Sequence, residues 1–469
     1  MRFAPIFLFA TLCLFSLSPA RAASPQDIRD CDVNVDYARA DPACARIADD
    51  ENELLQARVV AHLGRAFFSF NRNELDRASQ ETEEALNLDR NSAKAYEMRG
   101  SIFLRRSDWT RASADFDQQL KLTPNDARAH HNRAYARRNL GDWDGVVDDE
   151  DQAVRLDPLY AEAWHGRGYA YAHKGDLAHA LADYNEAIRL KPDNAPALIS
   201  RGGLYRNRGD LDLALADYDV AVKSDPKSAD ARYNRGSIFA DKGDPDYALA
   251  DFEVAIGLNP RLALGYYARA RIRATKGDED GAIADYDTAI GLDPKLAIAY
   301  HNRAGAYLRK GDIKRALADA DQAVKLDPSA ARSYWGRGLI LSAKSDFDRA
   351  YADLNEAIKR APQMAMPYHA RGRIYLYRRD IKHALADYDE AIRLDPKFAA
   401  AYMDRADINA ANGAPDLAID DYDRVLELQP KNAIALMHRS RAYQAKGEHE
   451  RAELDLAEAL ALDPHASQK

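Results

Sequence analysis

A chain of 469 residues with 66 basic and 75 acidic side chains carries a net charge of −9, and 46% of its residues are hydrophobic. That balance suits a folded, soluble chain and argues against nonspecific nucleic-acid binding, which needs a surplus of positive charge. Length alone would suggest roughly three domains, but that prior fails for internally repeated chains, so periodicity decides the organisation.

The first 22 residues stand apart. Arg2 precedes an apolar run from Phe3 to Leu17, interrupted by Pro5 and Thr11, and Ser18-Pro19-Ala20-Arg21-Ala22 ends it with small residues in an Ala-x-Ala arrangement. This pattern predicts a secretory signal peptide over 1–22, cleaved after Ala22. The run is too short for a comfortable membrane span. Cys13 follows Leu12 rather than a small residue, so it does not fit a lipid-acylation site. Cleavage would leave 64 basic against 75 acidic residues, a net of −11. No later apolar stretch could cross a bilayer, so no stable membrane insertion is expected after cleavage.

Residues 23–58 read as an N-terminal helical cap. Asp41 to about Asp50 looks like a lone half-repeat helix that would cover the apolar side of the first repeat, as the ends of repeat arrays require. Cys31 and Cys44 survive cleavage, and an even count in an exported chain predicts a disulfide. The bridge would close a loop of about 14 residues, worth roughly 3 kcal/mol in the chain-entropy account.

From Val59 the chain is periodic. Proline recurs at 124, 158, 192, 226, 260, 294, 328, 362, 396, 430 and 464, always 34 residues apart. Twelve repeats are read over 59–466, with a short tail at 467–469. In residues 161–194, helix A is predicted at positions 2–14 of the repeat and helix B at positions 17–30. Gly175 suits the left-handed turn that ends helix A. Asp176 is the N-cap of helix B, and Pro192 stops that helix.

Position 8 is small throughout, as at Gly100, Gly168, Gly202, Gly236, Gly338 and Gly372, and position 20 is Ala except at Val146. Position 24 is often aromatic, as at Tyr184, Tyr218, Phe252, Tyr286, Tyr388 and Tyr422. Small residues at positions 8 and 20 let the two helices of a repeat approach closely, and position 24 belongs to the core stripe. Trp164, Gly168, Tyr171, Ala180, Tyr184, Ala187 and Pro192 match the motif of the tetratricopeptide repeat family, which this chain resembles over 59–466. The resemblance implies an all-α, right-handed superhelical solenoid of helix-turn-helix units. It also implies an inner groove, lined by the A helices, that holds an extended protein segment.

The chain departs from the family at position 7. Arg stands there in every repeat: Arg65, Arg99, Arg133, Arg167, Arg201, Arg235, Arg269, Arg303, Arg337, Arg371, Arg405 and Arg439. Position 23 is acidic in every repeat: Glu81, Asp115, Asp149, Asp183, Asp217, Asp251, Asp285, Asp319, Asp353, Asp387, Asp421 and Asp455. A solvated face would not hold both identities so strictly. The reading is a structural ladder of Arg–carboxylate pairs, between neighbouring repeats, because the planar guanidinium binds a carboxylate bidentately. For Arg235 the expected partner is Asp217 in the preceding repeat rather than Asp251. The third repeat is odd, with Arg137 at position 11 and Glu150 at position 24, and a compensating ion pair between them is expected.

No catalytic residue, cofactor or metal site is expected. There is no phosphate-cradling glycine loop, no HExxH and no Cys-x-x-Cys. His131, His165, His301 and His369 all fall at position 5, but neighbouring repeats would hold them about 10 Å apart, too far for one zinc ion.

By family analogy, positions 2, 5, 9, 12 and 13 face the groove. Their basic residues are Lys94, Arg105, Arg128, Arg138, Arg206, Arg271, Arg309, Arg332, Arg373 and Arg441, against Glu97, Glu162, Asp230, Asp241 and Asp407. Tyr135, Tyr169, Tyr233, Tyr267, Trp335 and Tyr377 interleave with the four histidines. Arg and aromatic rings are what binding hot spots favour. The expected partner is therefore a protein or peptide segment of acidic character, held by a scaffold or adaptor rather than an enzyme. The rival reading is a structural protein that self-assembles into homo-oligomers through the last helix, with its Leu454 and Leu456. The leader and two-cysteine cap resemble those of bacterial exported repeat proteins, so the periplasm is the expected compartment.

Overall fold

The computed structural model describes residues 23–32, 34 and 36–464. The expected signal peptide and tail lie outside the described residues. The chain forms two compact units, Met1–Lys227 and Ser228–Lys469. Among the described residues there are 26 helices and no strand, so the chain is all-α.

The first unit begins with two cap helices, α1 (Pro25–Asp30) and α2 (Tyr37–Ala48). Cys31 and Cys44 are joined by a disulfide with Cα atoms 4.7 Å apart. The cap helix starts at Tyr37, four residues before the sequence suggested, and carries Pro42 inside it. Ala40, Cys44, Ile47 and Ala48 are buried against Ala61 and Phe68 of the first repeat. Arg77 fixes the same helix from outside, donating to Asp41 at 2.8 and 2.7 Å and to the Tyr37 hydroxyl at 2.9 Å.

Helix pairs continue through both units with the expected punctuation. In the fourth repeat helix A spans Ala161–His173 and helix B spans Leu177–Leu190. The Asp176 side chain accepts from the His179 N–H and caps helix B. Lys191, before Pro192, is extended at φ −139°, the conformation that a following proline favours. Gly175 has φ +81°, and the equivalent position is left-handed in other repeats too. Where glycine is missing, Asn73, Ser107, Ser345 and Arg379 are held at φ 58–65°. The turn geometry therefore overrides the preference of the residue.

The pairing of small and large residues sets the distance between helices A and B. A Cβ added at Gly168 would lie 2.9 Å from the Tyr184 ring, and one at Gly202 would lie 2.8 Å from Tyr218. Both tyrosines are about 1% exposed, so the missing methyl makes room for a buried ring. Within each unit helix B then packs on helix A of the next repeat.

Candidate functional site

The arginine at position 7 points between the helices of its own repeat. Arg167 donates from Nε and Nη2 to the two carboxylate oxygens of Asp183, at 2.9 and 2.8 Å. Arg99 and Asp115, Arg201 and Asp217, Arg269 and Asp285, Arg303 and Asp319, and Arg337 and Asp353 repeat this fork, as do Arg371 and Asp387, Arg405 and Asp421, and Arg439 and Asp455. Arg133 engages Asp149 in the same way.

The pairing expected between neighbouring repeats is therefore corrected. Arg235 bonds Asp251 at 2.7 and 2.8 Å, while Asp217 accepts from Arg201. Sixteen residues separate partners across one helical hairpin, and the fork spans the gap between its two helices.

The link to the preceding repeat runs through a residue the sequence reading missed. The remaining Nη1 of Arg167 donates to Asp151 at 2.9 Å, and Arg337 reaches Asp321 at 2.9 Å. Arg201 and Arg371 find Asn185 and Asn355 at 2.7 and 2.6 Å. These acceptors occupy position 25 of the repeat before. Their acidic or amide character at a fixed place in the repeat is the signal in the sequence that marks them as acceptors. A second tie joins position 14 to position 18 of the preceding repeat, as in Lys446–Asp416 at 2.7 Å and Lys276–Asp246 at 2.5 Å. The aspartates of these pairs are largely exposed, so each contributes little.

The odd third repeat also differs from expectation. Arg137 donates to Asp149 at 2.9 Å, not to Glu150. Glu150, 2% exposed, is bonded instead by Nδ1 of His131 at 3.0 and 3.1 Å. An arginine at position 11 already lies beside the ladder carboxylate, whereas position 5 overlooks position 24. Burial raises Glu150 above the usual carboxylate range. Burial alone would lower His131, but the charge and hydrogen bond of Glu150 outweigh it and hold the imidazole above its ordinary value. Burial pushes Asp149 up too, yet hydrogen bonds from His130 and Arg133 together hold it below its usual range. Gly166 completes this site, since a Cβ there would sit 2.1 Å from Glu150 Oε1.

The position-5 residues occupy the seam between adjacent A helices rather than an open surface. His165 bonds the Ser200 hydroxyl at 3.0 Å, and His369 bonds Asp404 at 2.9 Å. Tyr267 accepts from Asn302 at 3.1 Å. Tyr233 packs on Phe252 with ring centres 5.9 Å apart, and Trp335 lies 6.4 Å from His301. Burial, then the nearby charge of Arg138, pushes His165 down to about 4, and burial with Arg332 does the same to His301. Both imidazoles are neutral at pH 7. Among the described residues, no group of three or more His, Cys, Asp or Glu side chains is placed to hold a metal ion.

The other groove residues divide. Arg138 is held between two rings, 4.8 Å from the centre of Tyr135 and 5.0 Å from that of Tyr169. Its guanidinium has no hydrogen-bond acceptor among the described residues. Tyr169 also packs on His173, which stacks on Trp143 at 4.1 Å. Arg206 is half-buried and has a partner. Arg271 lies exposed, 6.0 Å from the Tyr267 ring, and Arg373 is exposed. Arg309 is taken up by Glu279, to which Nη2 donates at 3.0 Å, so it does not stand as a free groove cation. Tyr377 is 66% exposed but stacks on Phe347 at 3.9 Å. No helix among the described residues is long and apolar enough to cross a membrane.

No curated protein sequence matches the chain. Among solved structures, it is similar to the APC/C hetero-tetramer Cut9–Hcn1, at 15% identity over 88% of this chain and 96% of that one, with a TM-score of 0.54. It is also similar to a tetratricopeptide repeat protein from Parabacteroides merdae, at 23% identity over 53% of this chain and 98% of that one (TM-score 0.43). Yeast Tom70 aligns at 17% identity over 88% and 99% of the two chains (TM-score 0.40). The first likeness shows the fold. A family profile described as "Tetratricopeptide repeat" matches residues 97–145, 200–263, 301–365, 369–433 and 415–467, and another of that description matches 161–194. A "TPR repeat" profile matches 270–311. These matches cover more than half of the sequence, and the chain belongs to the tetratricopeptide repeat family.

Proposed function

We propose that this chain is an exported scaffold that holds an extended acidic segment of a partner protein along the exposed faces of its A helices. Family membership makes it a protein-binding repeat scaffold. The acidic partner rests chiefly on Arg138. Two tyrosine faces fix its guanidinium plane, while the N–H edges have no acceptor among the described residues. Cation–π contacts use the faces of the guanidinium and leave its edges to donate to a carboxylate. The pairing of Cys31 with Cys44 supports an oxidising compartment, which for a bacterial leader is the periplasm.

The test uses Arg138→Ala and Tyr169→Ala, singly and together, with capture of partners from an envelope extract. A hot-spot truncation costs about 2 kcal/mol or more of binding. The double variant should keep its helical circular dichroism and lose the captured partner, and higher salt should weaken the wild-type complex. Normal capture by the double variant overturns the assignment. The rival, self-stacking through the last helix, rests on Leu454, which is 71% exposed, whereas Leu456 packs inward beside Leu436 and Met437. Concentration-dependent polymers in light scattering that vanish in Leu454→Glu would favour it.

A further inference from the structure

The last two repeats share a pocket of about 340 Å³ whose wall carries two opposite charges that form no ion pair with each other. One is Asp407. Its Oδ1 accepts from the buried Tyr422 hydroxyl at 2.7 Å and from Nδ1 of His438 at 2.7 Å. Two donors on one oxygen fix the carboxylate plane and leave Oδ2 without a partner among the described residues. The other charge is Arg441, exposed on the same wall, with no hydrogen bond or ion pair to a described residue. The remaining lining is small and apolar, including Pro415, Ala442 and Ala445.

From this arrangement the geometry points to a binding site for the zwitterion of a small aliphatic α-amino acid. The ammonium donates to Asp407 Oδ2, the carboxylate accepts from the Arg441 guanidinium, and the side chain lies on the alanine and proline wall. Each ligand charge meets an opposite one, which a purely acidic or purely basic ligand cannot do. A carboxylate already oriented by Tyr422 and His438 loses little freedom on binding, the usual benefit of preorganisation. The volume lies at the small end of ligand pockets, enough for a ligand the size of leucine. The reading rests on other residues than Arg138 and Tyr169, which carry the partner segment proposed above, and the leucine titration is read separately from partner capture.

The probe is L-leucine, titrated into the full chain by calorimetry and by saturation-transfer NMR. Two analogues remove one charge each: 4-methylpentanoate lacks the ammonium and isopentylamine lacks the carboxylate. L-leucine should bind saturably, and each analogue at least about tenfold more weakly, the factor that 1.4 kcal/mol represents. Asp407→Asn and Arg441→Gln should each weaken leucine by a similar factor. Arg441 is exposed, so its variant folds even where Asp407→Asn disturbs the Tyr422 contact, and an unchanged melting temperature verifies this. Absence of saturable leucine binding up to about 10 mM, well above a millimolar Kd, overturns the proposal. So does equal binding of either analogue, or undiminished binding by Arg441→Gln.

Discussion

Replacing Arg167 by leucine removes the guanidinium that Asp183 and Asp151 share. Asp183 is 4% exposed, and both its oxygens accept from this one arginine. Removing one partner of a buried pair costs about 3–5 kcal/mol, because the remaining charge stays desolvated. The Arg167 side chain is 15% exposed, which places the cost at the low end, about 3 kcal/mol. Asp151 is 30% exposed and can turn to water, so Asp151→Ala should cost only about 0.5–1 kcal/mol. Repeat arrays open locally, so global melting blurs the effect, and amide hydrogen exchange over 161–194 is the suitable assay. Arg167→Leu should accelerate exchange there by roughly two decades, the equivalent of about 3 kcal/mol. Arg167→Leu combined with Asp183→Leu should recover most of this, since an apolar pair often replaces a buried ionic one without loss. If the double-mutant cycle shows no coupling, the fork does not hold the hairpin together.

The same packing sets three further outcomes. Gly166→Ala should fail to gain the roughly 1 kcal/mol that alanine ordinarily gives over glycine inside a helix, since the new methyl meets Glu150 Oε1; adding Glu150→Ala should restore that gain in thermal melts, and a full gain from Gly166→Ala alone would refute the contact. Ser345→Gly and Arg379→Gly should each stabilise by up to about 1–2 kcal/mol, because both residues are held left-handed at φ 65° and 60°, and an unchanged urea midpoint would deny that strain. His165 and His301 are held neutral, with folded values of about 4 against an ordinary 6.5. Between pH 6.5 and 4 the unfolded chain therefore binds more protons, so their contribution is fully present above pH 6.5 and is lost as pH falls through that window. His165→Gln should flatten the decline of melting temperature in that range, and an unchanged slope would show that the ring is not held neutral.

The repeat length, the helix bounds and the close helix approach at the small positions 8 and 20 were legible because each residue's duty is set within one hairpin. Twelve copies of one pattern average out local noise, while the contact of Gly168 with the Tyr184 ring is what the structure adds. What could not be read was the direction of long side chains. Arg and Asp at positions 7 and 23 signalled pairing, but the choice between hairpin and neighbour depends on where a flexible arginine swings, and sequence spacing does not encode that.

The histidines show the same limit from another side. Family analogy assigns position 5 to a groove face, yet stacking of neighbouring repeats brings position 5 of one A helix against position 6 of the next, as His165 meets Ser200 and His369 meets Asp404. That contact joins residues 35 apart, one more than the period, so it becomes visible only when adjacent repeats are compared at an offset. Such comparison also explains Glu150. A buried carboxylate at an otherwise aromatic position needs a donor and space, and His131 supplies the first while Gly166, from the next repeat, supplies the second. The substitution is tolerable only as a set of three drawn from two repeats. Departures from a repeat motif are therefore best read across the seam, where the compensating residue stands, rather than within the repeat that carries them.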